Sequence, residues 1–171
     1  MRVTGDEEIE LVTRAIRSGT LTSTKGEFVR TLEQRFAETI GVKSAYACAS
    51  GTAAVHLAVA AINPNPGDEI VTSPITDMGA LLPILYQGAI PVFADVDRST
   101  GNIDPAAIGA AITPRTRAIL PVHLYGQMCD MTAIHEIASR RGLVVVEDAA
   151  HSLESEWNGK KPGHYGDFAC F

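Results

Sequence analysis

Hydrophobic residues at the start of the chain recur every three or four positions, the spacing of one face of an α-helix. These positions are Ile9, Val12, Ile16, Phe28, Leu32, Phe36 and Ile40. Thr4 and Glu7 have the spacing of a capping box for the first of two helices. Gly19 and Gly41 are expected to end the two helices, since glycine readily adopts the left-handed conformation found there. We therefore expect residues 1–41 to form an N-terminal helical arm.

From residue 42 onward, short runs of β-branched and apolar residues alternate with segments typical of helices. The strands are expected at 44–49, 69–73, 90–94, 116–122, 144–148 and from 168 onward. The helices between them are expected at 51–62, 78–87, 105–112 and 131–141. Strands alternating with helices predict right-handed crossovers and a mostly parallel sheet, so residues 42–171 should form an α/β domain of three layers, α/β/α. Asn158-Gly159 predicts a tight hairpin after the fifth of these strands.

The composition narrows the class of protein. The chain has 171 residues, of which 46% are hydrophobic and 20% charged, enough for one globular domain with a core. A net charge of −6 argues against nucleic acid or an anionic membrane surface as a partner. No apolar run has the length of a membrane span, and the acidic N-terminus lacks the apolar core of a signal peptide. Cys48, Cys129 and Cys170 are far apart and set among apolar residues, which favours reduced, buried thiols in a cytoplasmic protein.

A carboxylate and an imidazole follow the most apolar of the predicted strands. Asp148 closes the run that begins at Val144, and His151 comes after two alanines. Ligands of open α/β sheets bind beyond the carboxyl ends of the strands, so both side chains stand where chemistry is expected. An aspartate there could hold a protonated ring nitrogen, as in sites for pyridoxal 5′-phosphate (PLP). The alternative is that Asp148 caps the following turn and His151 is a structural histidine.

A second candidate site lies at the start of the helix predicted at 51–62. Ser50, Gly51, Thr52 and Ala53 connect a predicted strand to this helix, and the N–H groups of a helix's first turn bind phosphate readily. The alternative is a plain serine N-cap. The chain has neither the Gly-x-Gly-x-x-Gly turn of dinucleotide sites nor the glycine-rich loop of nucleotide triphosphatases.

Five segments in a fixed order resemble the DegT/DnrJ/StrS-type sugar aminotransferases, a family of fold-type I PLP enzymes. They are 49–54 (Ala-Ser-Gly-Thr-Ala-Ala), 66–71 (Pro-Gly-Asp-Glu-Ile-Val), 121–126 (Pro-Val-His-Leu-Tyr-Gly), 147–151 (Glu-Asp-Ala-Ala-His) and 165–168 (Tyr-Gly-Asp-Phe). The resemblance extends from residue 5 to residue 171 and matches only the first half of the family pattern. It implies that residues 42–171 are an incomplete PLP-binding large domain of the aspartate aminotransferase type.

The resemblance also implies roles for individual residues. Asp148 would pair with the pyridine nitrogen of PLP, and His151 would hydrogen-bond the phenolic oxygen of the ring. Thr52 and the Ala53 N–H would bind the phosphate, with Gly51 allowing close approach; Ser50 belongs to the same phosphate-binding turn.

Two features depart from the family pattern. The segment 73–79, which in the family usually supplies an aromatic residue that stacks on the cofactor, contains none. Either Thr76, Asp77 or Met78 covers the ring instead, or the stacking is lost. The lysine that forms a Schiff base with PLP would fall about six residues past the position of Phe171. The chain is therefore expected to be the N-terminal part of an enzyme, inactive by itself.

The sequence therefore leads to one main functional hypothesis and two alternatives. The resemblance implies an aminotransferase that acts on a keto sugar, expected to be nucleotide-linked, with glutamate or glutamine as amino donor. It also implies that the whole protein is a homodimer. One alternative is a PLP-dependent sugar dehydratase of the same family. The other is a non-catalytic fragment. His123, at the end of a predicted strand, is a further candidate for a contact with substrate or cofactor.

Overall fold

The computed structural model describes residues 4–171 and divides the chain into two compact units, Met1–Ala47 and Cys48–Phe171. The sequence predicted a boundary between residues 41 and 42. The segment that follows is tied to the first unit, because the Ala47 N–H donates a hydrogen bond of 2.9 Å to the carboxylate of Glu33. Residues 42–47 therefore belong to the first unit rather than to the α/β unit.

The first unit contains two helices, α1 (Asp6–Arg17) and α2 (Glu27–Ile40). The cap of α1 lies one residue later than predicted, since Gly5 is the N-cap and its N–H donates to Oε2 of Glu8 at 2.7 Å. Gly41 ends α2 in the left-handed conformation, with φ of 83°, as its position in the sequence predicted.

The second unit is a parallel sheet with helices on both faces. Its elements in chain order are α3 (Gly51–Ile62), β1 (Glu69–Thr72), α4 (Met78–Tyr86), β2 (Ile90–Phe93), α5 (Pro105–Ala111), β3 (Thr116–Leu120), a short 3-10 helix (Leu124–Gly126), α6 (Met131–Arg141), β4 (Val144–Asp148) and β5 (Phe168–Cys170). The strands are ordered β2-β1-β3-β4-β5, and every pairing is parallel. The predicted α/β class with a parallel sheet is confirmed.

Alternate residues of the strands face two separate hydrophobic cores, because successive side chains of a strand point to opposite faces. On β1, Ile70 packs with α3 and α4, whereas Val71 packs with α5 and α6. On β4, Val146 and Val145 divide in the same way. Two helix layers therefore enclose the sheet, which gives the predicted three-layer arrangement.

The strand predicted at residues 44–49 is absent from the described part of the chain. A strand exists only through backbone hydrogen bonds to a neighbouring strand, and no strand in residues 4–171 pairs with this segment. The segment also spans the division between the two units, at Ala47 and Cys48. Its apolar pattern was compatible with a strand, but a pattern within one segment does not supply a partner.

The predicted hairpin is present. Trp157 and Lys160 exchange backbone hydrogen bonds of 2.9 and 3.0 Å. Asn158 and Gly159 between them have φ of 50° and 73°, as a two-residue type I′ turn requires.

The cysteines differ in burial. Cys129 and Cys170 are buried as expected, and burial raises the pKa of each thiol to about 12. Cys48 is exposed, which contradicts the prediction of a buried thiol. The apolar neighbours of Cys48 in the sequence did not reveal this, because the residue lies outside any strand or helix.

Among residues 4–171, no helix combines the length and the hydrophobicity needed to cross a lipid bilayer.

The topology of the sheet selects one place for a ligand. The chain leaves β1 through α4 to reach β2 on one side, and β3 lies on the other side of β1. The connections after β1 and β3 therefore diverge, and a crevice forms outside the carboxyl ends of the strands at such a point.

Candidate functional site at the carboxyl edge of the sheet

Asp148 ends β4 at the carboxyl edge of the sheet and is half-buried. Its Oδ1 accepts a hydrogen bond of 3.2 Å from the Ala150 N–H, so the carboxylate does cap the following turn. Burial raises the pKa of the Asp148 carboxyl, and the negative charge of Asp77 raises it further. The Ala150 N–H, His123 and His151 act in the opposite direction. A carboxylate has two oxygens with about four acceptor positions, so one cap bond leaves Asp148 capacity for a cationic ligand.

The turn predicted to bind phosphate begins α3. Ser50 is the N-cap, and its Oγ accepts a hydrogen bond of 3.2 Å from the Ala53 N–H. The serine-cap alternative therefore describes the local geometry, and the Ala53 N–H already has a partner. The N–H groups of Gly51 and Thr52 lie in the first turn, where a helix offers no carbonyl partner of its own. A phosphate at this helix start would meet these two groups first.

The two candidate sites lie next to each other. A Cβ atom placed on Gly51 would be 3.9 Å from the Cβ of Ala150 and 3.9 Å from the carbonyl oxygen of Phe171. Ala150 is two residues beyond Asp148, so the start of α3 and the end of β4 share the carboxyl edge of the sheet. Residues nearly a hundred positions apart in the sequence thus line one region of the surface.

The start of α4 is the third part of this region. Asp77 is the N-cap of α4, and its Oδ1 accepts a hydrogen bond of 2.7 Å from the Gly79 N–H. A Cβ atom on Gly79 would lie only 2.6 Å from Oγ1 of Thr52 and 3.0 Å from Oδ1 of Asp77. Gly79 therefore lets the first turns of α3 and α4 approach each other. The sequence did not identify Gly79, although a glycine in the first turn of a helix is a signal of close backbone approach.

No aromatic side chain comes from the segment that follows β1. Among the three residues considered as replacements, Thr76 is half-buried, Asp77 is an exposed cap, and Met78 is 52% exposed. The carboxylate of Asp77 is the one among them whose charge acts on Asp148.

His151 lies at the rim of the same region and is exposed. Its ring stacks on that of Tyr125, with 5.9 Å between the ring centroids and 4° between the ring planes. Its Nδ1 accepts a hydrogen bond of 3.3 Å from the Tyr125 N–H. Tyr125 was not identified from the sequence, because only the fold brings it to His151.

His123 does not reach the surface. It is fully buried, and its Nε2 lies 2.9 Å from Oε2 of Glu147, which is also fully buried. The hypothesis that His123 contacts substrate or cofactor is not supported by this position, because the ring is directed into the protein and both of its nitrogens have partners. The sequence placed His123 near the end of a strand, and it lies just beyond the end of β3 at Leu120. The sequence could not show which way its side chain points.

The grouped residues suit one kind of ligand. A half-buried carboxylate suits a cationic ring nitrogen, and a helix start with two hydroxyl groups suits a phosphate. Between these two ends lies Ala150, whose side chain is a single methyl group, next to Gly51. The residues present therefore fit a phosphorylated pyridine such as PLP.

Comparison with known proteins agrees with this chemistry. The model of the DegT/DnrJ/EryC1/StrS aminotransferase family matches residues 3–171. The chain is 47% identical to the spore coat polysaccharide biosynthesis protein SpsC of Bacillus subtilis over 98% of its own length. It is 48% identical to GDP-perosamine synthase of Caulobacter vibrioides over 87% of its length. The chain spans 42% and 40% of the lengths of these two relatives.

Solved structures give the same result. 3-Amino-5-hydroxybenzoic acid synthase superposes with a TM-score of 0.92 at 36% identity, over 95% of this chain and 42% of that one. GDP-4-keto-6-deoxymannose-3-dehydratase superposes with a TM-score of 0.88 at 30% identity, over 97% of this chain and 44% of that one. The matched family model and these similarities show that the chain belongs to the DegT/DnrJ/EryC1/StrS aminotransferase family.

Proposed function

We propose that the protein is a PLP-dependent aminotransferase that transfers an amino group to a keto sugar, with a nucleotide-linked sugar as substrate and glutamate or glutamine as donor. The observation that carries the proposal is the grouping of Asp148, His151 and the start of α3 at one edge of the sheet, in a chain of this family. The names of two relatives support the substrate class: one is GDP-perosamine synthase and another is UDP-2-acetamido-2-deoxy-3-oxo-D-glucuronate aminotransferase. We further propose that the whole enzyme is a homodimer that works in the cytoplasm.

Asp148 is proposed to accept a hydrogen bond from the protonated ring nitrogen of the cofactor. PLP supplies an electron sink, which works best when its ring nitrogen is protonated. The cationic nitrogen would lower the pKa of Asp148, reversing the effect of burial, because an opposite charge within about 4–6 Å favours the ionised carboxylate. The raised pKa of the carboxyl in the cofactor-free protein therefore marks a position that gains from a cation.

The start of α3 is proposed to hold the phosphate. The N–H groups of Gly51 and Thr52 and the Thr52 hydroxyl would donate hydrogen bonds, and the helix dipole favours an anion there by about 0.3–1 kcal/mol. The Ser50 hydroxyl now accepts from Ala53 N–H, and a rotation about its Cα–Cβ bond would free both groups for the phosphate. Ala53 thus remains a proposed ligand that requires this rearrangement.

His151 is proposed to donate a hydrogen bond from its ring to the phenolic oxygen of the cofactor. This bond would hold the cofactor ring at its phenolic oxygen, and Asp148 would hold the ring at its nitrogen. The two contacts together would fix the orientation of the ring in its plane. A ring held at both positions presents a defined face to the substrate, which is the contribution of positioning to the rate.

The test compares two aspartates that both cap a turn. Asp148→Asn in the whole enzyme keeps an acceptor for Ala150 N–H but removes the charge facing the ring nitrogen. If that pairing contributes ~3 kcal/mol in the transition state, the rate should fall by roughly a hundredfold. Asp104→Asn is the matched control, since Asp104 caps α5 through a hydrogen bond of 2.9 Å from the Ala106 N–H. Equal, near-wild-type turnover in both variants would show that Asp148 is only a cap.

A sugar dehydratase is the second candidate, because a dehydratase is among the structures that superpose on this chain. Both reactions would use the residues described above. The resemblance places the lysine that distinguishes them past residue 171, so product analysis of the whole enzyme with a keto sugar and glutamate decides between them. Formation of an amino sugar supports the aminotransferase, and loss of a sugar hydroxyl without formation of an amino sugar supports the dehydratase.

A further inference from the structure

A buried asparagine holds the turn that faces His151. Asn102 lies between β2 and α5 and is 4% exposed. Its Oδ1 accepts a hydrogen bond of 3.1 Å from the Leu124 N–H, and its Nδ2 donates one of 2.9 Å to the carbonyl of Gln127. A backbone N–H can only donate and a carbonyl can only accept, so the two bonds fix the orientation of the amide. The Asn102 side chain thus clamps both ends of the turn 124–127.

The clamped turn contains a strained residue. Tyr125 has φ of 52° and ψ of 28°, the left-handed conformation that costs a non-glycine residue roughly 1–2 kcal/mol. The Tyr125 side chain is 85% exposed, so burial of its ring does not stabilise this conformation. The hydrogen bonds of the turn do: those of Asn102 at its two ends, and one from the Ser155 hydroxyl to the carbonyl of Gly126.

The strained conformation directs a backbone donor at His151. The Tyr125 N–H lies 3.3 Å from Nδ1 of His151, and the two rings are stacked. Because the N–H can only donate, Nδ1 must be the unprotonated nitrogen of the neutral imidazole. The single ring proton is then on Nε2, which becomes the hydrogen-bond donor of His151.

We propose that Asn102 is a positioning residue that sets the tautomer and the ring orientation of His151 through the turn 124–127. Asn102 does not touch the cofactor site itself. Its role in catalysis rests on the proposed function, in which His151 donates to the cofactor's phenolic oxygen. The tautomer itself is a property of the protein without any ligand, so it can be measured separately.

The first measurement uses cofactor-free protein labelled with ¹⁵N-histidine. At about pH 9, well above the ordinary pKa of imidazole, long-range ¹H–¹⁵N correlation spectra report which ring nitrogen carries the proton. The His151 signals are assigned by their loss in His151→Gln. We expect the Nε2–H tautomer in the wild type. In Asn102→Ala the ratio of the tautomers should move toward Nδ1–H by about fivefold, the shift that one ordinary hydrogen bond produces.

Three further variants separate positioning from general destabilisation. Thr116→Val removes a buried hydroxyl at the opposite edge of the sheet, where Thr116 is 3% exposed, and should leave the His151 tautomer unchanged. Asn102→Asp keeps the acceptor for the Leu124 N–H but loses the donor to the Gln127 carbonyl. It replaces the alanine variant in this measurement if that variant does not fold. Adding Tyr125→Gly to Asn102→Ala should restore the Nε2–H tautomer in part, because glycine adopts the left-handed conformation without strain.

An unchanged His151 tautomer in the folded Asn102 variants, or an Nδ1–H tautomer in the wild type, would overturn the proposal. Titration of the whole wild-type enzyme, which extends past residue 171, with PLP tests the proposed function independently. Absence of PLP binding together with the expected tautomer shift would refute the function and leave the role of Asn102 intact.

Discussion

The imidazole of His123 and the carboxylate of Glu147 form a hydrogen-bonded pair in which both side chains are fully buried, with Nε2 2.9 Å from Oε2. His123 Nδ1 accepts a hydrogen bond of 3.2 Å from the Cys129 N–H, so the ring proton is on Nε2 and is donated to Glu147. The other carboxylate oxygen of Glu147 accepts from the N–H groups of Gly163 and Gly166. Through Glu147, the pair therefore connects the segment after β3 with residues 163–166 in the loop between β4 and β5.

Replacing Glu147 by Gln should destabilise the protein strongly. The single oxygen of the glutamine amide can still accept hydrogen bonds from the two glycine N–H groups. The NH₂ group then faces the Nε2–H of His123, so that two donors oppose each other. Changing the tautomer of His123 only moves the conflict, because Nδ1–H would meet the Cys129 N–H. Breaking a buried polar pair costs about 3–5 kcal/mol, to be measured by urea unfolding.

The control for this variant is Glu154→Gln. The Glu154 side chain is 81% exposed, and its contact with Lys161 is 3.9 Å long. A substitution at such an exposed site should change the free energy of unfolding by no more than about 0.5 kcal/mol. A loss below about 1 kcal/mol in Glu147→Gln would contradict the assigned hydrogen-bond pattern.

Asp148→Asn should stabilise the cofactor-free protein at neutral pH. Burial raises the folded-state pKa of Asp148, so ionisation is harder in the folded than in the unfolded protein. Below about pH 3.9, the ordinary pKa of an aspartate in the unfolded chain, the Asp148 carboxyl does not change the free energy of unfolding. As the pH rises through the pKa that Asp148 has in the folded protein, ionisation of the carboxyl lowers the free energy of unfolding. The asparagine should therefore raise the melting temperature at pH 7 and change it little near pH 3. A lower melting temperature at pH 7 would show that the charged carboxylate is stabilised by its surroundings.

Gly79→Ala and Gly109→Ala should change stability in opposite directions. A Cβ on Gly79 would be 2.6 Å from Oγ1 of Thr52, so either the hydroxyl or the start of α4 must move, and alanine there should destabilise the protein. Gly109 lies within α5 and has no atom within 4 Å of its Cβ position, so alanine there should stabilise the helix by about 0.5–1 kcal/mol. Thermal unfolding measures both effects.

The Gly79 variant should also weaken PLP phosphate binding in the whole enzyme, because the displaced Thr52 hydroxyl is a proposed phosphate donor. Loss of one ordinary hydrogen bond corresponds to roughly a fivefold increase in the dissociation constant. Unaltered affinity for inorganic phosphate and for PLP would indicate that Thr52 does not take part.

The three cysteines should differ in reactivity. The thiolate is the reactive form, and burial raises the pKa of Cys129 and Cys170 to about 12, whereas Cys48 is exposed. A thiol reagent at pH 8 should therefore modify Cys48 alone in the native protein and all three cysteines in denaturant. Mass spectrometry of the peptides identifies the sites. Rapid modification of Cys170 under native conditions would contradict its buried position.

The sequence by itself determined the features that depend on nearby residues. The spacing of apolar positions located the helices and most strands, Asn158-Gly159 specified its turn, and Gly41 ended α2. The order of five short segments indicated the family, and the strand ending at Asp148 placed that carboxylate at the carboxyl edge of the sheet. These features are encoded locally because periodicity, capping and turn geometry involve residues a few positions apart.

Only the tertiary structure decided which distant residues meet. It placed Gly79 against Thr52, buried His123 against Glu147 and set Asn102 beneath the turn that faces His151. It also left the segment 44–49 without a strand partner within the described residues. Contacts of this kind depend on the order of strands in the sheet and on the direction of each side chain, which the hydrophobic pattern of a single segment does not contain.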